Sequence, residues 1–226
     1  MWPFKEKGVW LLYDPDRLSP EGFLERFRSL KGSLGVRAVL VGTSFLEGDI
    51  CGAVRRLKEG LDVPLILFPG SHYQLCAEYD YVLFLSLLSG RNPEYLIGEH
   101  VKAAPMIKRL GLKVIPTAYL LIDGGTYTAT EFVSDTKPIP RDKTEIILAH
   151  SLAAKYLGFS AVYLEAGSGA VLSVPLEAVE VVKRETGLPL IVGGGIRTSD
   201  EVRTYLSGGA DVVVIGTAVE DGDLTV

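Results

Sequence analysis

Short runs of aliphatic and β-branched residues alternate along the chain with longer stretches whose apolar positions recur at helical spacing. The short runs predict eight strands, at Val9–Tyr13, Ala38–Gly42, Pro64–Phe68, Tyr81–Leu85, Lys113–Leu121, Ala161–Glu165, Leu190–Val192 and Val212–Ile215. Several contain almost no polar residue, as expected of parallel strands covered on both faces. Between them the helical pattern predicts Pro20–Leu30, Asp49–Glu59, Pro93–Leu110, Asp142–Leu157, Leu176–Thr186 and Ser199–Leu206. Ser19-Pro20-Glu21 and Thr198-Ser199-Asp200 read as helix starts, where an oxygen can accept the free first-turn amides. Eight alternations imply an α/β chain built as one domain over residues 1–226, a modified (β/α)8 TIM barrel.

Two places depart from a regular eightfold repeat. Only residues 69–80 separate the third and fourth strands, so the third covering helix is missing or shortened. The chain stops about ten residues after the eighth strand, so the C-terminal end is short as well. Both gaps leave apolar barrel wall for a ligand groove or a subunit contact. An insertion after the fifth strand, with Asp123-Gly124-Gly125-Thr126 between Tyr119–Leu121 and Tyr127–Thr130, reads as a small hairpin over the barrel mouth.

Composition sharpens this outline. Hydrophobic residues make up 47% of the chain and charged residues 23%, enough for a large core. A net charge of −5 with no long run of like charge argues against a nucleic-acid surface or a basic membrane patch. No apolar stretch is long enough to span a bilayer and no signal peptide stands at the N-terminus, so the expected compartment is the cytoplasm. Cys51 and Cys76, without metal-binding spacing, read as two idle thiols in a reducing environment. His72, His100 and His150 are far apart in sequence and read as surface or helix-packing residues, and Arg55-Arg56-Leu57-Lys58 as a solvated helix face.

The chemistry concentrates at the ends of the last strands. Glu165-Ala166-Gly167-Ser168-Gly169, Gly193-Gly194-Gly195-Ile196 and Gly216-Thr217 converge on the C-terminal face of a barrel, where glycine lets phosphate oxygens reach backbone amides. A helix starting at Ser199 would add its positive N-terminus. Strand one ends in Tyr13-Asp14-Pro15-Asp16-Arg17, which offers Asp14 either as a Mg²⁺ ligand or as part of an Asp-Pro turn that caps the next helix. At the end of strand two, Val41-Gly42-Thr43-Ser44 offers a hydroxyl as a second, weaker oxygen ligand.

The segments Leu12–Arg17, Val41–Ser44, Leu67–Ser71, Phe84–Pro93, Ile122–Gly125, Thr136–Pro140, Tyr163–Gly169 and Gly193–Arg197, taken in order, resemble the geranylgeranylglyceryl phosphate synthase family. Ser89–Pro93 and Thr136–Pro140 are similar to the second of that family's two broad groups, which includes relatives of bacterial heptaprenylglyceryl phosphate synthases. The resemblance implies a Mg²⁺-dependent prenyltransferase acting as a homo-oligomer, dimer or hexamer. Its partners would be sn-glycerol 1-phosphate and a polyprenyl diphosphate, geranylgeranyl diphosphate foremost, with no nucleic acid. It implies that Asp14 and Ser44 hold the metal, with Thr43 as an alternative to Ser44. Glycerol phosphate would be held by Tyr163, Leu164, Glu165, Ala166, Gly167, Ser168, Gly169, Gly194, Gly195, Gly216 and Thr217, with Glu165 and Tyr163 as the catalytic pair. The apolar tail would lie along aromatics drawn from Tyr73, Phe84, Tyr95, Tyr119 and Tyr127. The alternatives are another phosphate-binding barrel enzyme, an isomerase or synthase on a small phosphorylated metabolite, and a non-catalytic barrel that senses glycerol phosphate.

Overall fold

Eight parallel strands close on themselves in sequence order, β8 pairing with β1 through Gly8–Val212 to Leu11–Ile215. The structure is a computed structural model that describes residues 3–43 and 48–225. The strands are β1 (Gly8–Tyr13), β2 (Val36–Val41), β3 (Leu65–Leu67), β4 (Tyr81–Leu87), β5 (Lys113–Leu121), β6 (Ala161–Glu165), β7 (Leu190–Gly193) and β8 (Val212–Ile215). Interleaved with them are α1 (Pro20–Leu34), α2 (Ile50–Gly60), α3 (Glu99–Leu110), α4 (Ala129–Ser134), α5 (Thr144–Tyr156), α6 (Leu176–Thr186), α7 (Ser199–Ser207) and α8 (Thr217–Asp221).

Strand periodicity divides the core into two layers. Trp10, Leu40, Ile66, Leu83, Tyr119, Tyr163, Ile191 and Val214 fill the barrel interior. The alternate residues, among them Val9, Leu11, Val39, Leu65, Leu120, Leu164, Val192 and Val213, pack outward against the helices. The same parity carries Glu165 inward after Tyr163 and sends Leu164 to the outside.

Both departures from the regular repeat are present. Between β3 and β4 a single 3-10 turn, His72–Gln74, stands where a covering helix would be, and Leu75, Cys76 and Tyr79 of this connection are buried. After β8 the helix α8 is only 5 residues long. The chain then returns along the β7–α7 turn, where Thr225 donates to Arg197 O and accepts from Ser199 N.

The expected hairpin after β5 is not formed. Thr128 caps a short helix instead: its Oγ1 accepts from Glu131 N while the Glu131 carboxylate accepts from Thr128 N. This reciprocal Thr-x-x-Glu cap satisfies two orphan donors and favours helix over strand at Ala129–Ser134. Tyr13 is buried against Phe23 with its hydroxyl unpartnered among the described residues. Burial pushes that hydroxyl's pKa up to about 12.

The reading of Cys51 and Cys76 as idle thiols is overturned. They form a disulfide that ties the start of α2 to the β3–β4 connection across 25 residues, with Cα atoms 5.6 Å apart. The two positions meet because β2 and β3 are neighbours, a proximity that sequence spacing does not reveal. Closing a loop of this size removes unfolded-state entropy equivalent to about 3–4 kcal/mol. Reduction, or the double change Cys51→Ser with Cys76→Ser, is therefore expected to lower Tm by about 10 °C. Calorimetry with and without reductant measures the shift, and an unchanged Tm would remove the staple from the stability of the fold.

Candidate active site

One cavity of about 430 Å³ opens at the C-terminal ends of the strands and collects residues from nearly every βα turn. Glu165 sits within it, only 7% exposed. Its Oε1 accepts from Gly167 N at 2.7 Å. Desolvation raises its pKa to about 6, opposed by the Tyr163 hydroxyl and the Gly167 amide. Tyr163 lies beside it, fully buried, its pKa driven well above the usual phenol value by desolvation and then by the Glu165 charge. The Tyr163 hydroxyl faces the carboxylate without a well-formed hydrogen bond among the described residues. Gly193 leaves room for both, since a Cβ there would lie 2.6 Å from Tyr163 Oη and 2.7 Å from Glu165 Oε2.

The three glycine turns meet around this carboxylate. Gly167, Ser168, Gly169, Gly194, Gly195, Gly216 and Thr217 all line the cavity, and Ser168 Oγ lies 3.3 Å from Thr217 Oγ1. Gly194 has φ +87, and a Cβ would come within 2.7 Å of the Ala166 and Gly167 amide nitrogens. Only glycine keeps that surface clear. Among the described residues the amides of Ser168, Gly169, Gly194 and Gly195 make no hydrogen bond within the chain, which leaves them available to an anion. Leu164 and Ala166 are buried and do not line the cavity: Leu164 faces the helices, and the Ala166 amide is taken by Gly193 O.

The positive end of the helix at Ser199 is not available as expected. The Glu201 carboxylate accepts from the amides of Arg197 and Thr198, Thr225 O takes the Ser199 amide, and Thr198 Oγ1 takes that of Glu201. The C-terminal return and a capping box thus consume these donors, so the amides left open at this face lie in the glycine turns.

Across the cavity, β1 delivers Asp14 to the mouth, with Asp16, Arg17 and Thr43 beside it. Asp14 Oδ1 accepts from Asp16 N at 3.0 Å, and Thr43 Oγ1 donates to Asp16 Oδ2 at 2.7 Å. Partial burial raises the Asp14 pKa, opposed by the Asp16 amide and the Thr43 hydroxyl. Ser44, named as a metal ligand, lies outside the described residues. Arg17 reaches 3.8 Å from Asp14 and 3.3 Å from Glu220 of α8. Glu220 is a cavity residue the sequence does not disclose, because only closure of β8 onto β1 sets it against Arg17.

The rest of the cavity is mainly apolar. Leu75, Val82, Leu83, Phe84, Ala103 and Ile107 extend it over β4 toward α3, beneath the connection that replaces the third helix. Of the expected aromatics, Phe84, Tyr95 and Tyr119 line it; Tyr73 and Tyr127 do not and are largely exposed. Two histidines read as surface or packing residues belong here too. His72 pairs with Glu99 at 2.9 Å, and buried His100 stacks edge-on to Phe84. His150, by contrast, bonds to Ile146 O on α5 and does not line the cavity.

Comparison with known proteins follows the same outline. The sequence model of the PcrB family matches residues 3–225. A geranylgeranylglyceryl phosphate synthase of Thermococcus kodakarensis is 45% identical over 218 residues, covering 96% of this chain and 85% of the relative. One of Zunongwangia profunda is 44% identical over 221 residues, covering 96% and 93%. Among solved structures, (S)-3-O-geranylgeranylglyceryl phosphate synthase of Thermoplasma acidophilum, in complex with sn-glycerol-1-phosphate, superposes with a TM-score of 0.89 at 35% identity, covering 96% of this chain and 87% of that one. A family match over almost the entire chain, joined by relatives this similar along their length, establishes that the chain belongs to the PcrB family.

Proposed function

We infer that this barrel is a geranylgeranylglyceryl phosphate synthase, a prenyltransferase that joins sn-glycerol 1-phosphate to the geranylgeranyl group of its diphosphate and releases pyrophosphate. Its relatives carry that name. The observation that carries the reading is one cavity in which a buried carboxylate, Glu165, lies between glycine amides suited to a phosphate and an apolar arm suited to a hydrocarbon tail. A small-metabolite isomerase would need the amides but not the arm.

The chain's own groups divide the work. The amides of Ser168, Gly169, Gly194 and Gly195, with the Ser168 and Thr217 hydroxyls, take the acceptor's phosphate. Charge-assisted bonds of this kind contribute about 1.5–3 kcal/mol each, so a few anchor the acceptor without a lysine. The apolar arm takes the donor tail and excludes water from the reacting carbon. The acceptor's C3 hydroxyl oxygen forms the new bond to the allylic carbon as the carbon–diphosphate bond breaks. Glu165 accepts the hydroxyl proton, while Tyr163 packs beside it and holds its orientation.

Mg²⁺ suits the mouth. Among the described residues no group of three or more histidine, cysteine or acidic side chains forms a metal cage. A magnesium ion that shares its coordination with diphosphate needs only one or two carboxylates. Asp14 is a half-buried carboxylate whose ionisation is disfavoured, and a cation would offset that cost. Asp14 would hold the ion, with the hydroxyl of Ser44, or of Thr43 beside it, as a second oxygen ligand. Bound there, Mg²⁺ would neutralise the leaving diphosphate.

The test is transfer of labelled glycerol 1-phosphate into the organic phase with prenyl diphosphates of several lengths, with Mg²⁺ and with EDTA. Metal-dependent extraction with the C20 donor is the expected result. Saturable glycerol phosphate binding without transfer from any donor would leave an anion site and remove the synthase reading.

A further inference from the structure

Two arginines flank the cavity mouth, and each is paired with a carboxylate of the short C-terminal segment. Arg17 Nη1 lies 3.3 Å from Glu220 Oε2, and Arg197 Nη1 lies 3.1 Å from Asp223 Oδ2. The pairs are not equivalent. Asp223 is about half exposed, whereas the Glu220 side chain is 6% exposed and lines the cavity. Glu220 is also held in place from behind. The Arg26 guanidinium of α1 donates to the carbonyls of Val219 and Glu220, fixing the end of a helix too short to be stable alone. The chain thus buries an acid beside a site meant for anions, where Asp14 and Asp16 already stand. No step of the transfer uses it.

Asp14 and Glu220 then share the Arg17 guanidinium, with Asp16 beside them, a local balance that repels bare pyrophosphate. Arg17 offsets part of that charge, and it is shared between Asp14 at 3.8 Å and Glu220 at 3.3 Å. Any diphosphate oxygen that takes the guanidinium must draw it away from Glu220 or share its donors with it.

We propose that Glu220 is a positioning residue that acts through Arg17: it competes with the departing diphosphate for the guanidinium and reclaims it as pyrophosphate leaves. The inference rests on the transferase reading, since it makes pyrophosphate the product to be released. An acid in this place limits how firmly the leaving group is held after the bond is broken, and so favours turnover.

The experiment is calorimetric binding of inorganic pyrophosphate in the presence of Mg²⁺ at pH 8, on the parent chain, Glu220→Gln, Arg17→Ala and the double variant. Steady-state transfer is followed in parallel. Glu220→Gln is expected to bind pyrophosphate about tenfold more tightly, to lose kcat and to be more sensitive to product inhibition, with KM for glycerol 1-phosphate unchanged. Arg17→Ala is expected to bind it more weakly, and in that background Glu220→Gln should change the affinity by less than about twofold. Unchanged or weaker binding by Glu220→Gln, or equal tightening with and without Arg17, would overturn the proposal; the latter would leave only bare repulsion. Arg17→Lys, at an exposed position, supplies a second probe. It keeps the charge but loses the fork that reaches Glu220, and Glu220→Gln should have less effect on it than on the parent. The binding arm needs no prenyl transfer, so a parent that shows the coupling yet transfers nothing would sink the synthase reading and leave the pair standing.

Discussion

Asp14→Ala is expected to slow prenyl transfer about a thousandfold at saturating donor and acceptor, a loss of ~4 kcal/mol of transition-state stabilisation. The size follows from the place of the carboxylate. It stands at the cavity mouth across from the glycine turns, partly buried, and its own ionisation is disfavoured by that burial. Such a group gains most when a cation and a diphosphate arrive together, and the charge on the diphosphate grows as the allylic bond loosens. Removing it also leaves Arg17 to Glu220 alone. The loss should therefore fall on kcat more than on the KM for glycerol 1-phosphate, whose phosphate is assigned to the opposite wall. Asp16 provides the comparison, since its carboxylate is engaged by Thr43 Oγ1 and its replacement should cost less. Initial rates over a Mg²⁺ titration test both variants. Near-normal kcat in Asp14→Ala would remove the residue from the chemistry, and a rate restored by excess Mg²⁺ would reduce its part to metal affinity.

The barrel was legible because its signal is repetitive. Uninterrupted apolar runs such as Ala161–Leu164 and Val212–Ile215 can be little else than strands covered on both faces. The glycines at the ends of β6, β7 and β8 mark, in the same way, the turns that meet in one cavity. What was misread depends on contacts between distant residues or on a local rule that competes with pattern. Cys51 and Cys76 meet only through the pairing of β2 with β3. Thr128 and Glu131 did carry a readable signal, a Thr-x-x-Glu cap, but the preceding Asp-Gly-Gly resembles a hairpin turn and masked it. The start of α7 reads in sequence as an open helix end, but Thr225 and Glu201 occupy its amides. Leu164 belongs by sequence to the Tyr163–Gly169 motif, yet strand parity places it on the outer face.

Glu165→Gln should gain stability at neutral pH while it loses activity, and both effects trace to one buried carboxyl. In the free enzyme its pKa is raised by desolvation to about 6 from an ordinary 4.5. The folded state therefore binds the proton more tightly than the unfolded state does. The stability contributed by the protonated form is fully present below pH 4.5, is lost as pH rises through 6, and leaves a cost of about 2 kcal/mol at pH 7. Glutamine has nearly the same shape, can still accept the Gly167 amide and carries no charge to desolvate. The variant should thus resist urea better than the parent at pH 7, by up to about 2 kcal/mol, and match it at pH 4. Activity should move the other way. Only the ionised carboxyl can take the acceptor's proton, so parental kcat/KM should fall about tenfold per pH unit below 6 and level off above it. The variant should lose about a hundredfold or more in rate, and with it that acidic limb. A limb that persists in Glu165→Gln would assign the titration to another group. A variant that keeps the rate but raises the KM for glycerol 1-phosphate would make Glu165 a holder of the acceptor and not its base. Greater stability with lost rate would identify the buried charge as a cost the fold carries for the reaction.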